Sequence, residues 1–102
     1  MRANIYLAFY DSWRTTDVAA CLEGLAVANV VRGDYSAAVL VFGLADRLRT
    51  TSDILVPPAD QFEHEHYLSL AQFHLDTMQF SEAWAVGHAM PLEAMRQFLP
   101  MR

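Results

Sequence analysis

Lysine is absent from this chain, and its seven basic residues are all arginines, at Arg2, Arg14, Arg32, Arg47, Arg49, Arg96 and Arg102. Codon usage accounts for an all-arginine set before chemistry does, but the scatter has a chemical consequence. Phosphate backbones are held by clustered positive charge, so this segment, with a net charge of −5 and no basic run, is not expected to bind nucleic acid. Cysteine is nearly absent too: Cys21 alone excludes an intramolecular disulfide and fits a reducing cytoplasm. Standing at the head of an apolar stripe with no histidine near it in sequence, Cys21 reads as a small packing residue and not as a nucleophile. Long apolar runs are also missing. After the N-terminus the longest charge-free stretch is residues 35–45, far below the ~20 residues that span a bilayer. Residues 3–10 are mostly apolar, but Asn4 interrupts them and no small-residue cleavage pattern follows, so no signal peptide is expected. No glycine-rich loop ends in Gly-Lys-Ser/Thr, so a phosphate-binding loop of that kind is missing. Nothing alternates apolar and polar with period two over more than a few residues, which removes β-structure.

What remains is an apolar chain of 102 residues, the size of one domain, with 54% hydrophobic and 19% charged residues. That surplus of apolar side chains over polar cover implies that some of them meet a partner. The residues also repeat. Leu25-Ala26, Tyr35 and Ala38 recur as Leu70-Ala71, Phe80 and Ala83, each 45 positions on (70−25, 71−26, 80−35, 83−38). A small residue where two helices cross and an aromatic just past the turn are what stacked helical hairpins require.

The periodicity predicts an all-α domain of about five helices. Ile5, Phe9 and Trp13 lie on one face of a short leading helix over residues 1–14, ending near 11–15. Thr15, Thr16 and Asp17 offer cap side chains to a helix over 18–32, Gly33-Asp34 supplies the turn, and a helix over 36–50 completes a first, antiparallel hairpin over 16–50. Arg47 and Arg49 stand near the negative end of that second helix. Pro57 or Pro58 opens the next helix, of roughly 20 residues, expected to be the longest in the chain. Ser81 caps a further helix with Ala83, Trp84 and Val86, giving a second hairpin over 57–90, and Met90-Pro91 separates it from a terminal helix over 91–100.

With Ala38 set on the small residue of a tetratricopeptide unit's second helix, Leu25 and Ala26 take the large-small pair of the first, Gly33 and Tyr35 the turn, and Phe42 and Ala45 the later packing positions. The second unit keeps Leu70, Ala71, Phe80 and Ala83 but has Met78 at the turn glycine and Gly87 at an aromatic position. Its offset exceeds the usual 34-residue period by 11 (45−34). Four strings, Cys21-Leu22-Glu23-Gly24-Leu25-Ala26, Phe42-Gly43-Leu44-Ala45-Asp46-Arg47-Leu48-Arg49, Pro57-Pro58 and Ala83-Trp84-Ala85-Val86-Gly87-His88-Ala89-Met90, resemble the tetratricopeptide-like helical C-terminal region of bacterial signal-transduction ATPases. These are the LuxR- and AfsR-type transcriptional regulators. The resemblance implies a sensing or protein-binding role, carried in those regulators beside an ATPase domain that this chain does not contain.

No residue set announces a reaction. His64-Glu65-His66 has the ligand types of a zinc site, but on a helix the two imidazoles point to different sides, and Leu68 stands where the second histidine of a zinc helix would be. His66 and His74 share a face but are separated by about 12 Å of helical rise. Asp60, Glu63, Glu65 and Glu82 read as a solvated acidic face. The chain is therefore expected to be a non-enzyme without metal or cofactor. Its concave face would carry Ala20, Glu23, Val27 and Val30, then Glu65, Leu68, Gln72 and Leu75; Val27, Val30, Leu68 and Leu75 are apolar where a solvated groove is polar. They form a binding surface or are covered by neighbouring helices. The leading expectation is a cytoplasmic protein-interaction module; the alternative is a small-molecule sensor with its ligand near Tyr67, Phe73 and Trp84. Trp13 and Trp84 are expected at helix crossings. A leading helix without a hairpin partner exposes Ile5, Phe9 and Trp13, so a homodimer through them, or through Val27 and Val30, is expected.

Overall fold

The computed structural model describes residues 2–90, with side chains described for residues 17–90. It is all-helical over these residues, with α1 over Arg2–Val31, α2 over Tyr35–Ser52, α3 over Pro58–His74 and α4 over Thr77–Ala89. Among the described residues no helix is long and apolar enough to cross a membrane. The terminal helix expected over 91–100 lies outside the described residues, as do the side chains of Ile5, Phe9 and Trp13.

The break expected near residues 11–15 is absent, and α1 is one helix of 30 residues, the longest of the four. No glycine or proline stands between Asp11 and Asp17. Threonine and aspartate cap a helix only where the backbone turns outward, and nothing turns it here, so the hydrogen-bond ladder continues through them. The first turn is as expected. Gly33 takes φ 85°, its N–H donates to the Val30 carbonyl at 2.9 Å and that of Asp34 to Asn29 at 2.8 Å, which closes α1 in a Schellman motif. The end of α2 repeats the device without glycine: Asp53 sits at φ 58°, and the N–H of Ile54 donates to the Arg49 carbonyl at 2.8 Å.

Helix α2 is the centre of the molecule. Glu23, early among the packed residues of α1, meets Arg49, late in α2, so these helices run antiparallel. On its other side α2 packs along α4, and there the contacts advance in step, from Ala37 and Leu40 beside Ala83 and Val86 to Arg47 beside the end of α4, so α2 and α4 run parallel. The core follows this sandwich. Leu22, Val39, Val41, Phe42 and Leu44 are fully buried, each stabilising the fold by about 1.5–3 kcal/mol relative to exposure. Ala26, Ala38 and Ala71 of the repeat are at zero exposure, while Leu25, Tyr35, Leu70, Phe80 and Ala83 are half-buried around them.

The α2–α4 crossing depends on two glycines. A Cβ on Gly87 would lie 1.9 Å from the Leu40 carbonyl oxygen, and one on Gly43 would lie 2.7 Å from that of Trp84. Each glycine therefore admits the backbone of the opposite helix. Gly87, where an aromatic of the repeat pattern is missing, is the residue that lets α4 reach α2.

The second turn departs from the sequence reading. Helix α3 stops at His74, after 17 residues, and α4 begins at Thr77, so Ser81 lies inside α4 and caps nothing. Leu75 and Asp76 are both extended, and Asp76 forms a capping box with Gln79: the Gln79 N–H donates to Asp76 Oδ1 at 2.7 Å, and the Asp76 N–H to Gln79 Oε1 at 3.1 Å. A turn built on extended residues has no left-handed position. Met78 therefore costs nothing at the site where the repeat pattern asks for glycine.

Candidate functional site: a groove between the first and third helices

The groove begins at Gly24, in the middle of α1. Glycine inside a helix costs about 1 kcal/mol relative to alanine. The glycines of the α2–α4 crossing have a packing reason, but around Gly24 there is nothing within 4 Å of an added Cβ. The space it leaves belongs to a groove of about 240 Å³ walled by Ala20, Glu23 and Val27 of α1, backed by the buried Phe42 of α2 and closed by Pro57, Asp60, Glu63 and His64 around the start of α3. Pro57 and Pro58 set that start: Pro57 is the cap residue and Pro58 the first helical residue, where its missing N–H is not needed. His64 is half-buried and sets its ring edge-on to Phe42, with centroids 5.2 Å apart.

Arg49 supports the back of the groove. It is 6% exposed, donates to both Glu23 oxygens at 2.5 and 2.8 Å and gives a third bond to the Leu55 carbonyl at 2.9 Å. One guanidinium thus ties α1, α2 and the 53–57 linker together. The Glu23 hydrogen bonds hold the Arg49 pKa above its ordinary value, against the opposing effect of burial, so the arginine is charged throughout the physiological range. Since Arg49 occupies Glu23, the carboxylates free to meet a visitor are those of Asp60 and Glu63, both exposed on the α3 side. The groove offers Ala20, Gly24 and Val27 beneath an acidic rim.

Other expected site residues are dispersed. Val30 is 6% exposed and belongs to the core, so it is no surface for a partner: the turn at Gly33 folds α2 over it. Val27, Leu68 and Leu75 are half-buried and packed on the core, with Val27 also lining the groove; Glu65 and Gln72 are exposed. Cys21 is exposed, not packed, because its side of α1 turns away from α2. Tyr67, Phe73 and Trp84 face different surroundings. Trp84 stacks between Phe80 and His88 along α4, with centroids 6.2 and 6.1 Å apart; Tyr67 meets His66, and Phe73 is 83% exposed. His74 stacks on Tyr35 at 4.2 Å. Among the described residues no group of three or more histidines, cysteines or carboxylates comes together to hold a metal ion.

Three interactions were not foreseen from the sequence. Arg47 does not serve the end of its own helix but that of α4, donating to the Met90 carbonyl at 2.8 Å and to that of His88 at 3.3 Å. Beside it His88 Nε2 lies 3.2 Å from Asp46 Oδ2. The Glu23–Arg49 pair was also hidden, since the residues are 26 positions apart. The Asp76 capping box, by contrast, has a readable signal, Asp-x-x-Gln ahead of an apolar run. Comparison of the chain with protein-family models, with curated proteins and with solved structures found no match.

Proposed function

We propose that this chain is a non-enzymatic helical-repeat interaction module of the cytoplasm, of the kind carried at the C-terminus of bacterial signal-transduction ATPases, and that it binds a protein segment in the groove between α1 and α3. The observation that carries the reading is Gly24. A helix-interior glycine with no packing neighbour forfeits stability, and here the forfeited side chain is the one that would fill the groove. At about 240 Å³ the groove suits one or two side chains, and it is smaller than the roughly 300–1,000 Å³ of drug-sized ligand pockets. The size favours a peptide over the small-molecule alternative. Val27 and Ala20 suit an apolar side chain, and Asp60 and Glu63 an adjacent basic one.

A fluorescein-labelled peptide carrying Leu-Arg-Leu tests the reading by anisotropy. Binding is expected to weaken as salt rises, to fall with Asp60→Lys or Glu63→Lys, and to disappear with Gly24→Phe while the fold persists. Equal binding of a Leu-Glu-Leu peptide, or unchanged binding by Gly24→Phe, would refute it.

A further inference from the structure

We infer that α3 is a self-association helix that pairs antiparallel with α3 of a second copy of this chain, through the face carrying Phe62, His66, Ser69 and Phe73. Among the described residues the exposed large apolar side chains are concentrated on and around it. Six large apolar side chains stand out as exposed among the described residues; Phe62 (82%) and Phe73 (83%) belong to α3, Leu55 (81%) to the linker before it and Met78 (69%) to the first turn of α4. Positions 62, 66, 69 and 73 have the spacing of a single helical stripe, and all four are exposed. Ala71, the one buried residue of α3, lies on the opposite side. Helix α3 thus rests on its own fold along one edge and presents an aromatic stripe on the other.

The order of residues along the stripe selects the occupant. A two-fold axis midway between positions 67 and 68 exchanges Phe62 with Phe73 and His66 with Ser69. An antiparallel copy therefore sets each phenyl against a phenyl and each imidazole against a hydroxyl, the self-complementary arrangement of an isologous contact. Charge points the same way. Asp60, Glu63 and Glu65 occupy the first half of α3, whereas residues 68–74 hold no acid and end in His74. An antiparallel pair faces the acidic half with the acid-free half and opposes the helix dipoles, while a parallel pair would set acid against acid. The four phenyls of such a pair bury about 600 Å². That is half of the roughly 1,200 Å² at the lower end of stable interfaces, with His66, Ser69 and flanking stems supplying the rest. An interface of that size belongs to the weak, reversible class.

Light scattering coupled to size exclusion on the full chain, over a dilution series, reads the result. The mass is expected to rise from 11.5 kDa toward twice that value at tens of micromolar. Phe62→Glu and Phe73→Glu should each weaken association at least tenfold with an unchanged circular dichroism spectrum, because both side chains are already in water. Phe9→Asp and Gly24→Phe should leave it intact, which separates this proposal from the α1 surface and from the groove. Orientation is read in a Cys21→Ser background by mixing chains carrying His66→Cys with chains carrying Ser69→Cys under mild oxidation. Mixed disulfides should exceed self-disulfides. A monomer at every concentration, an intact dimer in both phenylalanine variants, or a predominance of self-disulfides overturns the inference.

Discussion

Helices α2 and α3 are nearly equal in length, 18 and 17 residues, yet α2 buries nine of its residues and α3 buries Ala71 alone. Helix α2 is also the more apolar of the two, but the larger difference lies in their neighbours. Helix α2 is packed on α1 along one side and on α4 along the other; α3 crosses only their edges and touches α4 little beyond the turn. In a regular hairpin stack each helix leans mainly on its hairpin mate. Here α4 abandons α3 for α2, drawn in through Gly43 and Gly87, and α3 is left as the outer wall of a groove and the bearer of an exposed aromatic face. A helix poor in buried contacts opens at lower free energy than one in the core, and α3 is where recognition is expected.

The contrast can be broken at its strongest points first. Glu23→Ala leaves the Arg49 guanidinium buried with only the Leu55 carbonyl as partner, and loss of one member of a buried pair costs about 3–5 kcal/mol. An expected loss of about 3 kcal/mol, read from urea unfolding, tests whether this pair holds α1 and the linker on α2. Gly87→Ala places a methyl against the Leu40 backbone, which cannot yield as a side chain could; overpacking of this kind costs about 1–3 kcal/mol, and the upper end is expected. A change below half a kilocalorie would mean that α4 does not cross α2 so closely. Ala26→Leu, at zero exposure in the α1–α2 contact, is expected to cost about 2 kcal/mol by the same mechanism. An unmoved urea midpoint would show the repeat register to be wrong. The smallest effect has the opposite sign: Gly24→Ala meets open space and should stabilise by about 1 kcal/mol. If thermal unfolding shows it destabilising, Gly24 has a packing role and the groove loses its main support.

Much of the architecture was legible because helices are specified locally. The apolar period, Gly33 and the Pro57-Pro58 pair marked three of the helix ends to within a few residues, since a left-handed turn and a missing N–H act on the backbone where they stand. Where the reading slipped, two local signals competed. Thr15 to Asp17 offer cap side chains but meet no turn, and Ser81 offers a hydroxyl five residues beyond Asp76, which with Gln79 makes the cap. The site was less legible than the fold. Ala20, Glu23 and Val27 share the face of α1 that lines the groove, but the pairing that removes Glu23 from solution and the proximity of Asp60, Glu63 and His64 depend on residues far apart in the chain.

The sequence by itself determined that this protein is helical and acidic, with the small residues Ala26, Ala38 and Ala71 on apolar helix faces, because periodicity and side-chain size act at the level of single helices. The tertiary structure decided which helices touch. Gly43 is an ordinary position of α2 and Gly87 a gap in the repeat pattern until the two backbones meet across them, and Arg47 and Arg49 are ordinary end-of-helix cations until α4 and Glu23 come within reach. Close approach, burial and pairing are properties of distance in space, and for these residues that distance is set by the whole packing of α1 and α4 about α2.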